Sequence, residues 1–228
     1  MTKLKVATFN LDKDNDIFPD RIYNLSNVIY KNRFDILCLQ EDYNSKKFST
    51  GKFLNIELNY NYISIKTREK FRNGINSSSN LTILSKYPIK LLDKLFFNKG
   101  KEDIERAAVF SQLSFKGKEI LLINTHLCHL SSNNRIEQIR AILKKINEYK
   151  NFNTIIFCGD LNALPSYSEV KLLKEYGFSD KNSEFTHESR VILDYILNKS
   201  KRDISIESKV LLKGFSDHHC LLNIINFL

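Results

Sequence analysis

The chain has 228 residues, of which 42% are hydrophobic and 27% charged, with four cysteines and no tryptophan. That length and balance support a full hydrophobic core, and they exclude a disordered tail, a collagen-like repeat and a miniature scaffold held by disulfides or structural zinc. The formal charge of +9 points to an anionic partner, but a general bias toward Lys would raise it too, and no run of five like charges marks a dedicated polyanion surface.

The first ten residues, Met1 to Asn10, lack the apolar core of a secretory leader, and no apolar stretch approaches the length of a membrane span. A cytoplasmic, monomeric protein with one domain over residues 1–228 is expected, in which the Asn24, Asn76 and Asn80 glycosylation matches carry little meaning. Leu4–Phe9 reads as the first strand. Phe18, Ile22, Leu25 and Ile29 then recur at helical spacing, after Asp16 and with Pro19 in the first turn. Strands follow at Ile36–Gln40 and Tyr60–Ile65. Lys66–Arg72, with Phe71 inside it, could touch a polyanion or be a plain exposed loop, and the polar stretch from Lys70 to Ser79 is expected to be a mobile loop. No aromatic surface hairpin is evident. Leu81–Ser85, Ile89–Phe97, Ala107–Phe115 and Glu119–Thr125 come next as strands, with Lys116-Gly117 suiting a hairpin turn.

A second helix carries Ile136, Ile139, Leu143 and Ile146 on one face, and Asn134 with Glu137 has capping-box spacing. After a strand at Thr154–Cys158, a third helix is expected to start at Ser166, with Glu169 three residues on, and to stop at Gly177. Val191–Leu197, Ile204–Leu212 and Cys220–Ile225 complete the strands. Helices fall early and late around a run of consecutive strands, which predicts a mixed α/β protein with two sheets or one large one. Cys38, Cys158 and Cys220 lie in apolar runs and read, with Cys128, as small core or scaffold residues, because no pair has the C-x-x-C spacing of a zinc or redox site.

Polar groups recur beside the strand runs. Asn10 follows Val6–Phe9, Gln40-Glu41 follows Ile36–Leu39, Thr125-His126 follows Ile120–Asn124, and Asp160 and Asn162 follow Ile155–Gly159. Asp194 sits between Val191–Leu193 and Tyr195–Leu197, and Asp217-His218 just precedes Cys220–Leu222. One carboxylate after a strand is usually a turn residue or a helix cap. Six such placements can converge on one sheet edge, where sites of α/β folds lie. Carboxylate and amide oxygens favour Mg²⁺ or Mn²⁺, whereas zinc would want His/Cys clusters that are missing. A phosphate ester gathers negative charge as it reacts, so it needs a cation, imidazolium donors and a base that aims water.

Thr8-Phe9-Asn10, Leu39-Gln40-Glu41, Thr125-His126-Leu127, Gly159-Asp160-Leu161-Asn162, Leu193-Asp194-Tyr195 and Ser216-Asp217-His218 resemble, in order, the motifs of the endonuclease/exonuclease/phosphatase superfamily, from residue 4 to residue 226. The resemblance implies a four-layer α-β-β-α sandwich of the DNase I-like kind. It implies Glu41 as principal Mg²⁺ ligand, with Asn10 beside it and Asp217 completing or approaching the site. Asp160 would orient and deprotonate the attacking water, and Asn162 would position that water or a phosphate oxygen. His218 would bind phosphoryl oxygens with its tautomer fixed by Asp194, and His126 would stabilise the transition state from the other side or assist the leaving group. The final motif, Ser216-Asp217-His218-His219-Cys220, lacks the Pro that many members carry two residues after the His, and the chain is compact for the superfamily.

Other groups have bland rivals. Arg106 and Arg190 are candidate substrate residues, set against a salt bridge of Arg106 with Glu105 or Glu102 and a solvated loop at Arg190. Asp12 could support the site or cap a turn. His129 and His219 read as scaffold or surface groups, and His187 precedes the Asp194 strand. The leading expectation is a Mg²⁺-dependent phosphodiesterase acting on nucleic acid. The same chemistry on a phospholipid head group or inositol phosphate comes second, and an inactive binding protein on this scaffold comes last.

Overall fold

A computed structural model describes residues 2–12, 20–72, 74–98 and 105–228. Two sheets stack face to face. The first has the order β10-β11-β1-β2-β4-β3, built from β1 (Thr2–Asn10), β2 (Ile36–Ser45), β3 (Asn61–Arg72), β4 (Ile75–Ser85), β10 (Ile204–Leu211) and β11 (Cys220–Phe227). The second has the order β5-β6-β7-β8-β9, built from β5 (Ile89–Phe96), β6 (Ala107–Phe115), β7 (Lys118–His126), β8 (Thr154–Asp160) and β9 (Asp194–Ser200). Each sheet holds one parallel pair, β1 with β2 and β7 with β8, and is otherwise antiparallel.

Alternation along the strands sorts the apolar residues into three layers of core. Val6, Cys38, Ile83, Val109, Leu122 and Ile196 fill the space between the sheets. Their strand neighbours Ala7, Phe9, Leu37 and Leu39 face outward under α1 (Asp20–Asn32) and α2 (Thr50–Leu54), through Ile22, Leu25, Ile29 and Leu54. On the opposite side Ile123, Phe157 and Leu197 pack under α3 (Ser132–Ile146) and α4 (Ser168–Glu175), through Ile139, Ile142 and Leu173. Helix, sheet, sheet and helix thus form the expected four-layer sandwich. α1 and α3 are the crossovers that a parallel pair requires.

Several local expectations change. α3 is capped by Ser131, whose hydroxyl accepts the Asn134 amide N–H, so Asn134 lies inside the helix. α4 starts at Ser168 after Tyr167, without a side-chain cap, while Gly177 follows its end at φ +99° as expected. α2 was not expected: Ser49 caps it, and its one turn is too short for a periodic signal. The polar stretch from Lys70 to Ser79 is the tip of a β3–β4 hairpin, with Lys70 opposite Ser77 and Phe71 opposite Asn76. Phe71 (70% exposed) and Ile75 (44%) make it an apolar-tipped surface hairpin, contrary to the sequence reading. β2 does not end at Glu41. It runs on to Ser45 through a bulge between Leu39 and Asp42. β9 begins at Asp194, because Val191 instead bridges His187. Asp16, Phe18 and Pro19, expected to open the first helix, lie outside the described residues, as does Glu102.

Candidate active site

Sheet register brings the polar motifs to one edge. His126, Asp160 and Asp194 lie side by side across β7, β8 and β9, and Asn10 is level with Gln40 across β1 and β2. β9 and β11 run antiparallel to their neighbours, so Asp194 and His218 reach this edge from strand beginnings where Asn10, His126 and Asp160 reach it from strand ends. A cleft of about 290 Å³ opens there. Its lining combines the oxygen-bearing Asn10, Asp12, Glu41, Asp160, Asn162 and Asp217 with the nitrogen-bearing Arg68, Lys70, Arg106, His126, His129 and His218.

Asp160 sits at the centre. Asn10 Nδ2 donates to its Oδ2 at 2.9 Å, and the Asn162 amide N–H donates to Oδ1 at 2.9 Å. His126 Nε2 and His218 Nε2 lie 3.3 and 3.6 Å from Oδ2. Burial would raise this carboxyl, but the charge on His218 and the hydrogen bonds from His126 and the Asn162 amide outweigh it and hold Asp160 well below the usual carboxylate range. It is an ionised, acceptor-only group aimed into the cleft.

The two rings differ in charge. His218 Nδ1 donates to Asp194 Oδ2 at 2.8 Å, and Asp194 is in turn held through its backbone N–H on Thr186 Oγ1. Burial disfavours the imidazolium, but Asp194 and Asp160 reverse this and push His218 up to about 10. His126 goes the other way: burial and the Arg106 guanidinium lower it. Arg106 Nη1 donates to His126 Nδ1 at 2.8 Å, which puts the proton of the neutral ring on Nε2, facing Asp160. Arg106 Nη2 also reaches His129 Nδ1 at 3.3 Å.

Glu41 sits in the β2 bulge at φ +52°, a left-handed conformation that a glutamate adopts only when its surroundings impose it. The extra residue turns Glu41 into the cleft. Next to it, Asp42 is buried, accepts the Gly51 amide at 2.7 Å and the Thr82 hydroxyl at 2.5 Å, and is pushed up to about 6 by burial. Below the cleft floor Gln40 donates to Asn124 across the sheets at 2.8 Å, and Asn124 donates to the carbonyls of Leu39 and Thr82 at 3.1 Å.

Asn10, Glu41 and Asp217 line the same cleft and offer oxygen ligands, a set whose chemistry fits a hard divalent cation such as Mg²⁺ or Mn²⁺. Asn10 Oδ1 also accepts the Asp12 amide at 3.1 Å, which gives Asp12 a supporting part at the cleft. Ser216 Oγ donates to the Asn10 carbonyl at 2.9 Å and holds the Asp217 loop against β1. Arg21 completes this clamp from α1, donating to the carbonyls of Leu11 (2.7 Å), Asp12 (2.9 Å) and Phe215.

The structure assembles every predicted site residue except Arg190. Arg190 lies in the turn between His187 and Val191, at φ +61°, and faces an exposed hollow with Glu184, Glu188 and Lys213. That turn delivers His187 to the site instead. The Ser189 amide donates to its Nδ1 at 3.1 Å, so Nε2 carries the proton, 3.5 Å from Asp217 Oδ2. The stretch Lys66–Arg72, expected to touch a polyanion or to be a plain exposed loop, belongs to strand β3 and brings Arg68 and Lys70 to the cleft, whereas sequence reasoning missed Arg21 and the cleft position of His129.

Residues 7–218 match the family described as Endonuclease/Exonuclease/phosphatase family. The chain belongs to this family of phosphoesterases. Its relatives include tyrosyl-DNA phosphodiesterase 2 of Danio rerio, 30% identical over 82 residues, a segment covering 35% of this chain and 22% of that protein. Among solved structures, an endonuclease/exonuclease/phosphatase family protein from Leptotrichia buccalis C-1013-b superposes with a TM-score of 0.78 at 19% identity, over 98% of this chain and 100% of the other. D. rerio TDP2 complexed with single strand DNA product gives 0.73 at 21% identity, over 99% and 100%. The sandwich is therefore the DNase I-like fold of the family. Among the described residues no helix is long and apolar enough to cross a membrane.

Proposed function

We propose that this protein is a Mg²⁺-dependent phosphodiesterase that hydrolyses nucleic acid by in-line attack of water. The observation that carries this reading is a single cleft lined both by the oxygen ligands of Asn10, Glu41 and Asp217 and by the cations Arg68, Lys70 and Arg106. The same cleft holds an ionised Asp160 and a protonated His218. The match to tyrosyl-DNA phosphodiesterase 2 adds support.

Asn10, Glu41 and Asp217 would hold the cation, which would supply polarisation of the phosphoryl group and stabilisation of charge on its oxygens. Asp160 accepts a hydrogen bond from the attacking water and so aims its lone pair at phosphorus. So depressed a carboxylate is a weak base, and it takes the proton only once attack has made that proton acidic. Asn162 places the water or a phosphate oxygen beside Asp160. His218 donates from Nε2 to a phosphoryl oxygen, while Asp194 on Nδ1 fixes the ring and its charge. Neutral His126 donates to Asp160 and carries the Arg106 guanidinium beside the phosphate, a role in organising the centre and not in protonating the leaving group. Arg106, Arg68 and Lys70 neutralise the substrate backbone.

A panel of single- and double-stranded DNA, abasic DNA, RNA, sphingomyelin, inositol phosphates and an aryl phosphate, with Mg²⁺ and with EDTA, tests the proposal. Nucleic acid should be the best substrate and EDTA should abolish turnover. Glu41→Gln should lower kcat by about 10³-fold or more and weaken Mn²⁺ binding measured by calorimetry. Turnover undiminished in EDTA removes the metal from the mechanism. The exposed Phe71 and Ile75 favour one second reading, the same centre acting on a lipid head group at a membrane surface. Preference for sphingomyelin in vesicles would establish it.

A further inference from the structure

A second cleft, of about 500 Å³, lies along the β3–β4 hairpin beside the catalytic one, and Lys70 lines both. Phe71 forms part of its wall, and the ends of β2 and β4 contribute Asn44, Asn76 and Ser77. We propose that this cleft is a binding subsite for the nucleotide flanking the scissile phosphate in a single-stranded nucleic acid, with the Phe71 ring as the stacking platform for its base. The inference rests on the nucleic-acid reading of the catalytic cleft.

Three features select that occupant. A Phe ring 70% exposed on an edge strand has no role in the core. Set beside cationic groups, it has the composition of a single-strand binding surface, where bases stack on aromatic rings and Lys or Arg follows the phosphates. Lys70 joins the two clefts, so a chain leaving the catalytic centre meets this cation and then the ring. Asn44, Asn76 and Ser77 offer amide and hydroxyl groups that can both donate and accept, which suits the edges of any base. A base in a duplex is stacked on its neighbours and cannot cover the ring. The cleft therefore favours a single strand or a frayed end. Lys66 and Glu69, ion-paired along the same strand, line the second cleft as well.

The absence of tryptophan makes the test direct. Phe71→Trp introduces the molecule's single indole, and in an Asp160→Asn background it can be titrated with single-stranded oligonucleotides in Mg²⁺ without turnover. Stacking should give saturable quenching with a single strand and far less with a blunt duplex of the same sequence. In the otherwise unaltered enzyme, Phe71→Ala should raise KM for a single-stranded oligonucleotide by about tenfold, the lower range of one base–aromatic stack. It should leave hydrolysis of bis(4-nitrophenyl) phosphate, which does not reach the second cleft, unchanged, and Phe71→Tyr should restore KM. Absence of quenching, or an equal loss on both substrates, overturns the subsite. Brightened, blue-shifted emission on anionic vesicles without quenching by oligonucleotide overturns it in favour of a lipid surface. If the unaltered enzyme cleaves no nucleic acid, the catalytic reading fails, while the quenching titration still decides whether the subsite binds a strand.

Discussion

His218 keeps its proton because two carboxylates face it, Asp194 on Nδ1 and Asp160 near Nε2. The ring's pKa, pushed up to about 10, leaves it an imidazolium across the neutral range, and activity that depends on it falls only as pH rises toward that value. Asp194→Asn removes the nearer charge, so the basic limb of kcat against pH should move down toward neutrality, and the variant should lose more at pH 8.5 than at pH 6. Superimposable basic limbs for the two enzymes would refute this account of Asp194. The motif carboxylates and rings were legible in the sequence because each lies beside a run of β-branched and aliphatic residues. Arg68 and Lys70 were legible only as part of the basic stretch Lys66–Arg72, because an edge strand rich in polar residues carries no apolar period to say which of its side chains reach the cleft. Arg21 was hidden for a related reason: it shares a helix with the apolar stripe of Ile22, Leu25 and Ile29, and nothing in that pattern says that its guanidinium folds back onto three carbonyls. Arg190 was misplaced because proximity in sequence to Asp194 does not say which residue of a tight turn faces the cleft.

Two elements owe their function to irregular backbone. At Gly159, with φ +147°, an added Cβ would come within 2.0 Å of the Thr125 carbonyl oxygen on the adjacent β7. That contact is backbone against backbone, so Gly159→Ala must push β8 away from β7, and Asp160, the next residue, moves off His126. We expect Gly159→Ala to lower the unfolding free energy by about 2–4 kcal/mol, as strain and overpacking in a buried strand do. A urea titration measures this. In the fraction that stays folded, kcat should fall at least tenfold, and wild-type stability and turnover would contradict the close approach. The bulge at Glu41 is the second case. Leu39-Gln40-Glu41 read as a strand end, yet the strand continues, and only pairing with β4 reveals the extra residue. The strands and helices of the core were foreseeable from their periods. Bulges and hairpin tips depend on which strands become neighbours, and a single chain's pattern does not encode that locally.

At the scale of the molecule, the centre is shared between sheets. β1, β2 and the loop before β11 supply Asn10, Glu41, Asp217 and His218, whereas β7, β8 and β9 supply His126, Asp160 and Asp194. Gln40 and Asn124 stitch the halves together under the cleft. With an overall charge of +9 and three cationic side chains in the cleft, binding of a single strand should weaken with salt. Three phosphate contacts give a slope of about −2 in log K against log salt. A fluorescence-anisotropy titration from 50 to 300 mM KCl measures the slope, and a flat response would remove the phosphate contacts from the account of binding.

The order of strands carries one more consequence. β5 to β9 form the second sheet from one uninterrupted stretch, whereas β1, near the beginning, pairs with β11, Thr2 opposite Phe227. On the ribosome, β1 must therefore wait with one side unzipped while nearly all the intervening polypeptide is made. On the proposed mechanism Asp217 and His218 emerge after the other site residues, so a nascent chain is expected to stay inert toward phosphate esters until β11 leaves the exit tunnel and closes the first sheet.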